Sequence, residues 1–186
     1  MLAKIIYFNY FKFVLKEELN LLLNMLQGVN LILKKSNLLL NGVSMSESIQ
    51  KFEELLAQKE IELENWSGED DGSRYFAFEE SIKNGPRIRV VAALQDKPNF
   101  VGTVYLFNYI NISEEKNKEA FYELLNELND DYTYVKFILD DEDNIMMRLH
   151  YPVLEGLYDA QTTIDFMLMA TDAAKEEYSK FMKLIL

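Results

Sequence analysis

The chain has 186 residues, 49% of them hydrophobic, with 31 acidic against 19 basic side chains for a net charge of −12. This is the balance of a globular protein, not a disordered one, and the length suffices to bury a core without disulfides or metal. The absence of cysteine excludes a disulfide framework, a thiolate metal site and a cysteine nucleophile.

Residues 1–44 differ from the rest of the chain. They are rich in Leu, Ile and Asn and hold Lys4, Lys12, Lys16, Lys34 and Lys35 against Glu17 and Glu18, a net of +3, so the remainder carries −15. A domain that acidic repels phosphate backbones, which disfavours nucleic acid as a partner. The longest uncharged stretch of this leader, 19–33, falls short of the ~20 apolar residues that span a bilayer, so no membrane span is expected there. Lys12, Lys16, Glu17 and Glu18 interrupt the apolar run that a signal peptide needs, and a cytoplasmic protein is expected. Gly42-Val43 can be encoded as GGA-GTN, a ribosome-binding sequence just upstream of the Met45 codon. A start at Met45, with 1–44 untranslated, therefore stands beside a translated leader that is poorly packed or binds a partner.

Residues 45–186 read as a single α+β domain. Ser46 is an N-cap candidate before Ile49, Phe52, Leu55 and Leu56, one apolar face of a helix that ends near Lys59 or Glu60. A short strand over 61–66 closes at the turn 67–72. Strands over 74–82, 87–94 and 100–112 come next as a meander, separated by Asn84-Gly85-Pro86 and Asp96-Lys97-Pro98-Asn99. Ser113 opens a second helix with Glu114 and Glu115 in its first turn and Phe121, Leu124, Leu125 and Leu128 along one face. Two strands succeed it: 133–139, with Val135, Phe137 and Leu139 on one face, and 144–151, with Ile145, Met147 and Leu149 on one face, Pro152 marking the exit. A helix from about Asp159 closes the chain. Its expected stripe is Ile164, Met167, Leu168, Thr171, Ala174, Tyr178, Phe181, Met182 and Ile185.

No catalytic constellation assembles from these residues. His150 is the sole histidine and reads as a sheet residue. Ser48 with Lys51, and Ser113 with Lys116, both match S-x-x-K, but no K-T-G accompanies them, and two hits in so small a domain signal coincidence. Asp140-Asp141-Glu142-Asp143-Asn144 lacks the turn glycine and terminal glutamate of a calcium loop and reads as a solvated hairpin turn, as does Glu69-Asp70-Asp71. No glycine-rich phosphate loop is present. No cofactor and no metal are expected.

The sheet's second face is more informative. In the long strand Val104, Leu106 and Ile110 point one way and Tyr105, Phe107 and Tyr109 the other. Opposite the core face of the later hairpin lie Tyr134, Lys136 and Ile138, then Met146, Arg148 and His150. Tyr, Phe, Met and Arg are interface residues, so Tyr105, Phe107, Tyr109, Tyr134, Lys136, Met146 and Arg148 form a candidate dimer or partner surface unless the last helix covers it. The same aromatics beside Lys136 and Arg148 also suit stacking of single-stranded RNA bases, a rival that the −15 charge opposes. Met167, Met169 and Met182 on the last helix add thioethers suited to varied apolar partners.

Leu124-Leu125-Asn126-Glu127-Leu128-Asn129, then Tyr134-Val135-Lys136-Phe137-Ile138-Leu139-Asp140, then Ile145-Met146-Met147-Arg148-Leu149 resemble the YbjN family, bacterial sensory transduction regulators sharing the fold of type III secretion chaperones. The resemblance runs in element order over about 46–184. It implies an α+β sandwich, commonly a homodimer, that binds other proteins without catalysis, and it carries over no catalytic residue. The leader before Met45 is not part of the pattern. Asn144 stands where a glycine is frequent, so Asp143-Asn144 must serve as the turn. The expected fold is an antiparallel sheet packed with helices, in the order α-β(meander)-α-β-β-α. The expected partner is a protein.

Overall fold

The computed structural model describes residues 46–68, 72–112 and 118–185. Along them run α1 (Glu47–Gln58), β1 (Glu64–Ser67), β2 (Ser73–Ser81), β3 (Arg87–Gln95), β4 (Asn99–Asn111), α2 (Lys118–Asp131), β5 (Lys136–Leu139), β6 (Asn144–Leu154) and α3 (Ala160–Ile185). The leader, Ser113 with its first-turn acids, the Ser113/Lys116 pair and Glu69-Asp70-Asp71 lie outside the described residues.

The strands form one antiparallel sheet in the order β1-β2-β3-β4-β6-β5. This is the α+β order that the periodicities predict. Period-2 alternation on β3, β4 and β6 puts Ile88, Val90, Leu94, Val104, Leu106, Ile145, Met147, Leu149 and Val153 on one face, and all are buried. That face is covered by α3, which packs against β3, β4 and β6, and by α1 and α2, which each pack against α3. Phe52, Phe121 and Phe181 enter the core from the three helices.

Local chemistry explains the boundaries. Asp159 caps α3, its carboxylate accepting the Gln161 N–H at 2.9 Å and its carbonyl the Thr162 N–H at 3.0 Å. Ser46 occupies the N-cap of α1, but its hydroxyl does not cap the helix. Its N–H donates to the Asp96 carboxylate and its hydroxyl to the Gln95 carbonyl at 3.3 Å, tying the start of α1 to the end of β3. Asn84 and Asp143 take left-handed φ of 59° in two hairpin turns, a conformation that Asn and Asp tolerate better than most residues.

Two expectations need correction here. Pro152 does not end β6, which continues to Leu154. The β5 ladder stops at the Lys136–Arg148 pair, so beyond it one edge of β6 has no partner strand among the described residues, and a proline that lacks an N–H costs no ladder bond there. Leu168, expected in the buried stripe of α3, is 51% exposed, because the helix buries Thr163, Ala170, Ala173 and Glu177 in addition to Met167, Thr171, Ala174 and Phe181. Small residues at this contact let α3 lie close on the sheet. With α3 seated on the core face, it does not cover the second face of the sheet.

Candidate functional site

The described helices lie on one side of the sheet, and no described helix covers the opposite, open face, on which Ala77 and Val91 are nonetheless buried. Its central row crosses all six strands: Glu64, Ala77, Val91, Tyr105, Arg148 and Lys136 are successive cross-strand partners. A second row runs Trp66, Tyr75, Ala93, Thr103 and His150, and a third contains Glu79, Arg89 and Phe107.

Aromatic rings and cations organise this surface. Tyr105 and Phe107, two residues apart on β4, are half-buried and stack on each other, centroids 5.6 Å apart and planes 17° apart. Trp66 stacks on Tyr75 at 5.4 Å, and the Arg89 guanidinium lies over the Trp66 ring, also at 5.4 Å. Arg89 is held there by Glu64 at 2.7 Å and Glu79 at 3.4 Å, while Arg87 pairs with Glu79 at 2.7 Å. Arg148 is exposed and makes no ion pair among the described residues. Its cross-strand neighbour Lys136 is also a cation, but the Lys136 ammonium is bonded to carbonyls at the end of α2.

Of the seven predicted surface residues, Tyr105, Phe107, Lys136, Met146 and Arg148 share this face. Tyr109 does not. Leu106 pairs with Met147 and Ile110 with Ile145, so three residues of β4 oppose one of β6. Asn108 takes a φ of +60° at this bulge and resets the alternation. Tyr109 therefore turns to the helix side, where its hydroxyl donates to the Ala174 carbonyl at 3.0 Å and its ring meets Phe181 edge-on. Burial, with Glu177 nearby, raises its pKa beyond the usual phenol range. Tyr134 is 57% exposed but lies in the bend before β5, where strand alternation has not begun, and its ring meets Phe166 of α3.

The polar clusters of the sequence hold the fold together. The Asp140 carboxylate accepts the backbone N–H groups of Asn144 at 2.8 Å and Glu142 at 2.9 Å, together with the Asn144 side-chain amide. Those bonds, the Asn144 N–H first, hold its carboxyl below the usual range. Asp143 pairs with Lys118 at 2.7 Å. The acidic turn is thus a self-bonded hairpin. His150 sits on the open face of β6 with Nδ1 3.1 Å from the Thr103 hydroxyl, and partial desolvation, aided by Arg148, lowers its pKa. Ser48 is buried in α1 and Lys51 pairs with Glu47, so neither addresses the other as an S-x-x-K dyad would.

Two features escape a reading by periodicity. The Asn129 side chain donates to the Phe137 carbonyl at 3.0 Å and accepts the Phe137 N–H at 2.8 Å, closing the outer edge of β5 as a neighbouring strand would. The Lys136 ammonium donates to the Asn129 and Tyr132 carbonyls at 2.7 and 2.8 Å, satisfying the end of α2. The Thr163 hydroxyl is hydrogen-bonded to both the Tyr151 and Tyr158 hydroxyls, at 2.8 and 2.6 Å. Burial pushes Tyr158 up to about 12.

A family model named YbjN, described as "Putative bacterial sensory transduction regulator", matches residues 87–182, from the first residue of β3 almost to the end of α3 and just over half of the chain. No curated protein and no solved structure matches it. Among the described residues, no helix is long and apolar enough to cross a membrane.

Proposed function

The chain belongs to the YbjN family, and from that premise we propose that it is a cytoplasmic, non-enzymatic, chaperone-like adaptor that works as a homodimer and binds protein through the open face of its sheet. One observation carries this reading. The three described helices lie on one side of a six-stranded sheet, and the other side bears Trp66, Tyr75, Tyr105, Phe107, Met146 and Arg148, the residue types that concentrate binding energy at protein interfaces. The titratable groups add support, since Asp140, Lys136 and Glu177 are engaged in holding turns and helix ends. Single-stranded RNA is the weaker occupant: Tyr105 and Phe107 stack on each other, and Lys136 is already bonded to two carbonyls.

The test is a photo-reactive phenylalanine analogue at position 107, with position 122 on α2 as the control, irradiated in producing cells. A recurrent protein adduct at 107 and none at 122 is the expected outcome. Adducts only at 122, or only to nucleic acid, would overturn the reading.

A further inference from the structure

Resting on that reading, we infer that a different protein meets the open face with an amphipathic α-helix, laid along β4 and β6, whose apolar stripe is interrupted at its middle by a carboxylate.

The strip that would receive it is two strands wide. Along the open face β4 presents Val101, Thr103, Tyr105 and Phe107, and β6 presents Leu154, Pro152, His150, Arg148 and Met146. One end is apolar and wet: Val101 and Leu154 are 58% and 45% exposed, and Leu157, in the turn just beyond, is 80% exposed. The other end carries the half-buried Tyr105, Phe107 and Met146. Between them stand the exposed Arg148, without an ion pair among the described residues, and His150, whose Nδ1 is engaged by Thr103.

The edges of the sheet direct a partner onto this face. β1 is four residues long, and Asn129 closes the outer side of β5. The bond from the Asp140 N–H to the Asn144 carbonyl sets the alternation of the β5–β6 ladder. His150, Pro152 and Leu154 therefore turn their backbone groups to the stretch of β6 edge that β5 leaves open. Pro152 has no N–H to offer there, and the Leu154 carbonyl already accepts the Leu157 N–H at 3.0 Å, so an added strand would find little to pair with. A segment lying on the face must instead satisfy its own backbone groups, which a helix does unaided. A second sheet would also have to desolvate the paired Glu64, Glu79, Arg87 and Arg89 of the β1–β3 half. From Leu154 to Met146 the strip runs ~27 Å at ~3.4 Å per residue, the length of roughly 18 helical residues, and its two strands at ~4.8 Å spacing match a helix ~10 Å across.

The charge of the strip selects the middle of the stripe. The twelve acids and five lysines of the three helices lie on the far side of the sheet. On the strip, Arg148 has Tyr105 and Lys136 as cross-strand neighbours and Met146 and His150 along its own strand, none of them an acid. An occupant apolar throughout would bury that guanidinium without a partner. A carboxylate at the same place meets it in a contact that the apolar groups on either side shield from water.

Selection from a displayed library of helices of about 18 residues, randomised along one face, against the full chain tests this. The expected outcome is enrichment of leucine, phenylalanine or methionine on both sides of a central Asp or Glu. For a selected peptide followed by fluorescence anisotropy, Arg148→Glu and Val101→Lys should each weaken binding by about tenfold or more, in chains whose circular dichroism is unchanged. Exchanging the peptide's central acid for lysine should restore its binding to the Arg148→Glu chain. No enrichment, enrichment without a central acid, or binders indifferent to Arg148→Glu and Val101→Lys would overturn the inference. The crosslinking result separates the two proposals: a protein adduct at 107 beside a failed selection keeps the binding face and removes the helix, whereas no protein adduct at 107 removes both.

Discussion

The two faces of the sheet are built from the same strands and obey opposite rules. On the helix side, alternation delivers Ile, Leu, Val and Met into a closed core, and its buried hydroxyls are bonded: Tyr109 to Ala174, Tyr151 and Tyr158 to Thr163, Tyr132 to Glu177 at 3.0 Å. On the open side the same alternation delivers aromatics, arginines and small residues whose contacts are partial and whose charges are left uneven. The first face is complete within one chain. On the second, no described helix packs over the half-buried rings of Tyr105 and Phe107, and Arg148 makes no ion pair among the described residues.

The sharpest way to break this comparison is to truncate one phenylalanine on each face. Phe181 is fully buried and its ring touches those of Tyr109 and Phe137; Phe181→Ala should cost about 3–5 kcal/mol in urea unfolding. Phe107→Ala removes a ring that is already partly wet, and should cost roughly 1 kcal/mol in the isolated chain. Equal losses would mean that the open face is part of the folding core, and its reading as a binding surface would fall. The same contrast separates two neighbouring tyrosines. Tyr105→Asp should leave a folded chain, whereas Tyr109→Asp would bury a carboxylate against Glu177 and unfold it.

A smaller effect is expected where β4 and β6 pair under α3. A Cβ on Gly102 would sit 2.5 Å from the Tyr151 ring, which cannot retreat because its hydroxyl is bonded to Thr163 and Phe166 stacks on it at 4.9 Å. Gly102→Ala should therefore cost about 2–3 kcal/mol as an overpacking substitution. In a Tyr151→Val background the same change should be nearly neutral, and this non-additivity is the diagnostic measurement. Additive losses would assign the cost to the backbone of β4 instead.

The helix-side face was largely legible in the sequence because periodicity is a physical consequence of burial: Ile145, Met147 and Leu149, or Phe121, Leu124, Leu125 and Leu128, announce their faces by spacing alone. Legibility failed where backbone geometry broke the period. The bulge at Asn108 moved Tyr109 to the opposite face, and the bend before β5 removed Tyr134 from the strand's alternation; neither carries a glycine or proline to flag it. Pro152 misled in the other direction, since its meaning depends on whether a neighbouring strand exists at that position, which is a tertiary fact. The open face was legible in its residue types and not in its exposure, because alternation says that two faces exist without saying which elements cover each.

The residues that carried the family resemblance gain a physical meaning from the structure, and the smallest prediction tests it. Asn129 and Lys136 join α2 to β5 at the sheet's outer edge, through the paired bonds between Asn129 and Phe137 and the ammonium at the end of the helix. Asn129→Ala leaves the Phe137 N–H and carbonyl without those partners, and should cost about 1–2 kcal/mol, accompanied by faster amide hydrogen exchange at Phe137 than at core positions of β6 such as Met147. Asn129→Asp keeps the acceptor and loses the donor, so it should fall between the two. If Asn129→Ala left both stability and Phe137 exchange unchanged, the edge of β5 would be held by the packing of Phe137 alone. The Asn-to-Lys-Phe spacing would then have no structural cause, and a role for it in partner contact would become the better explanation.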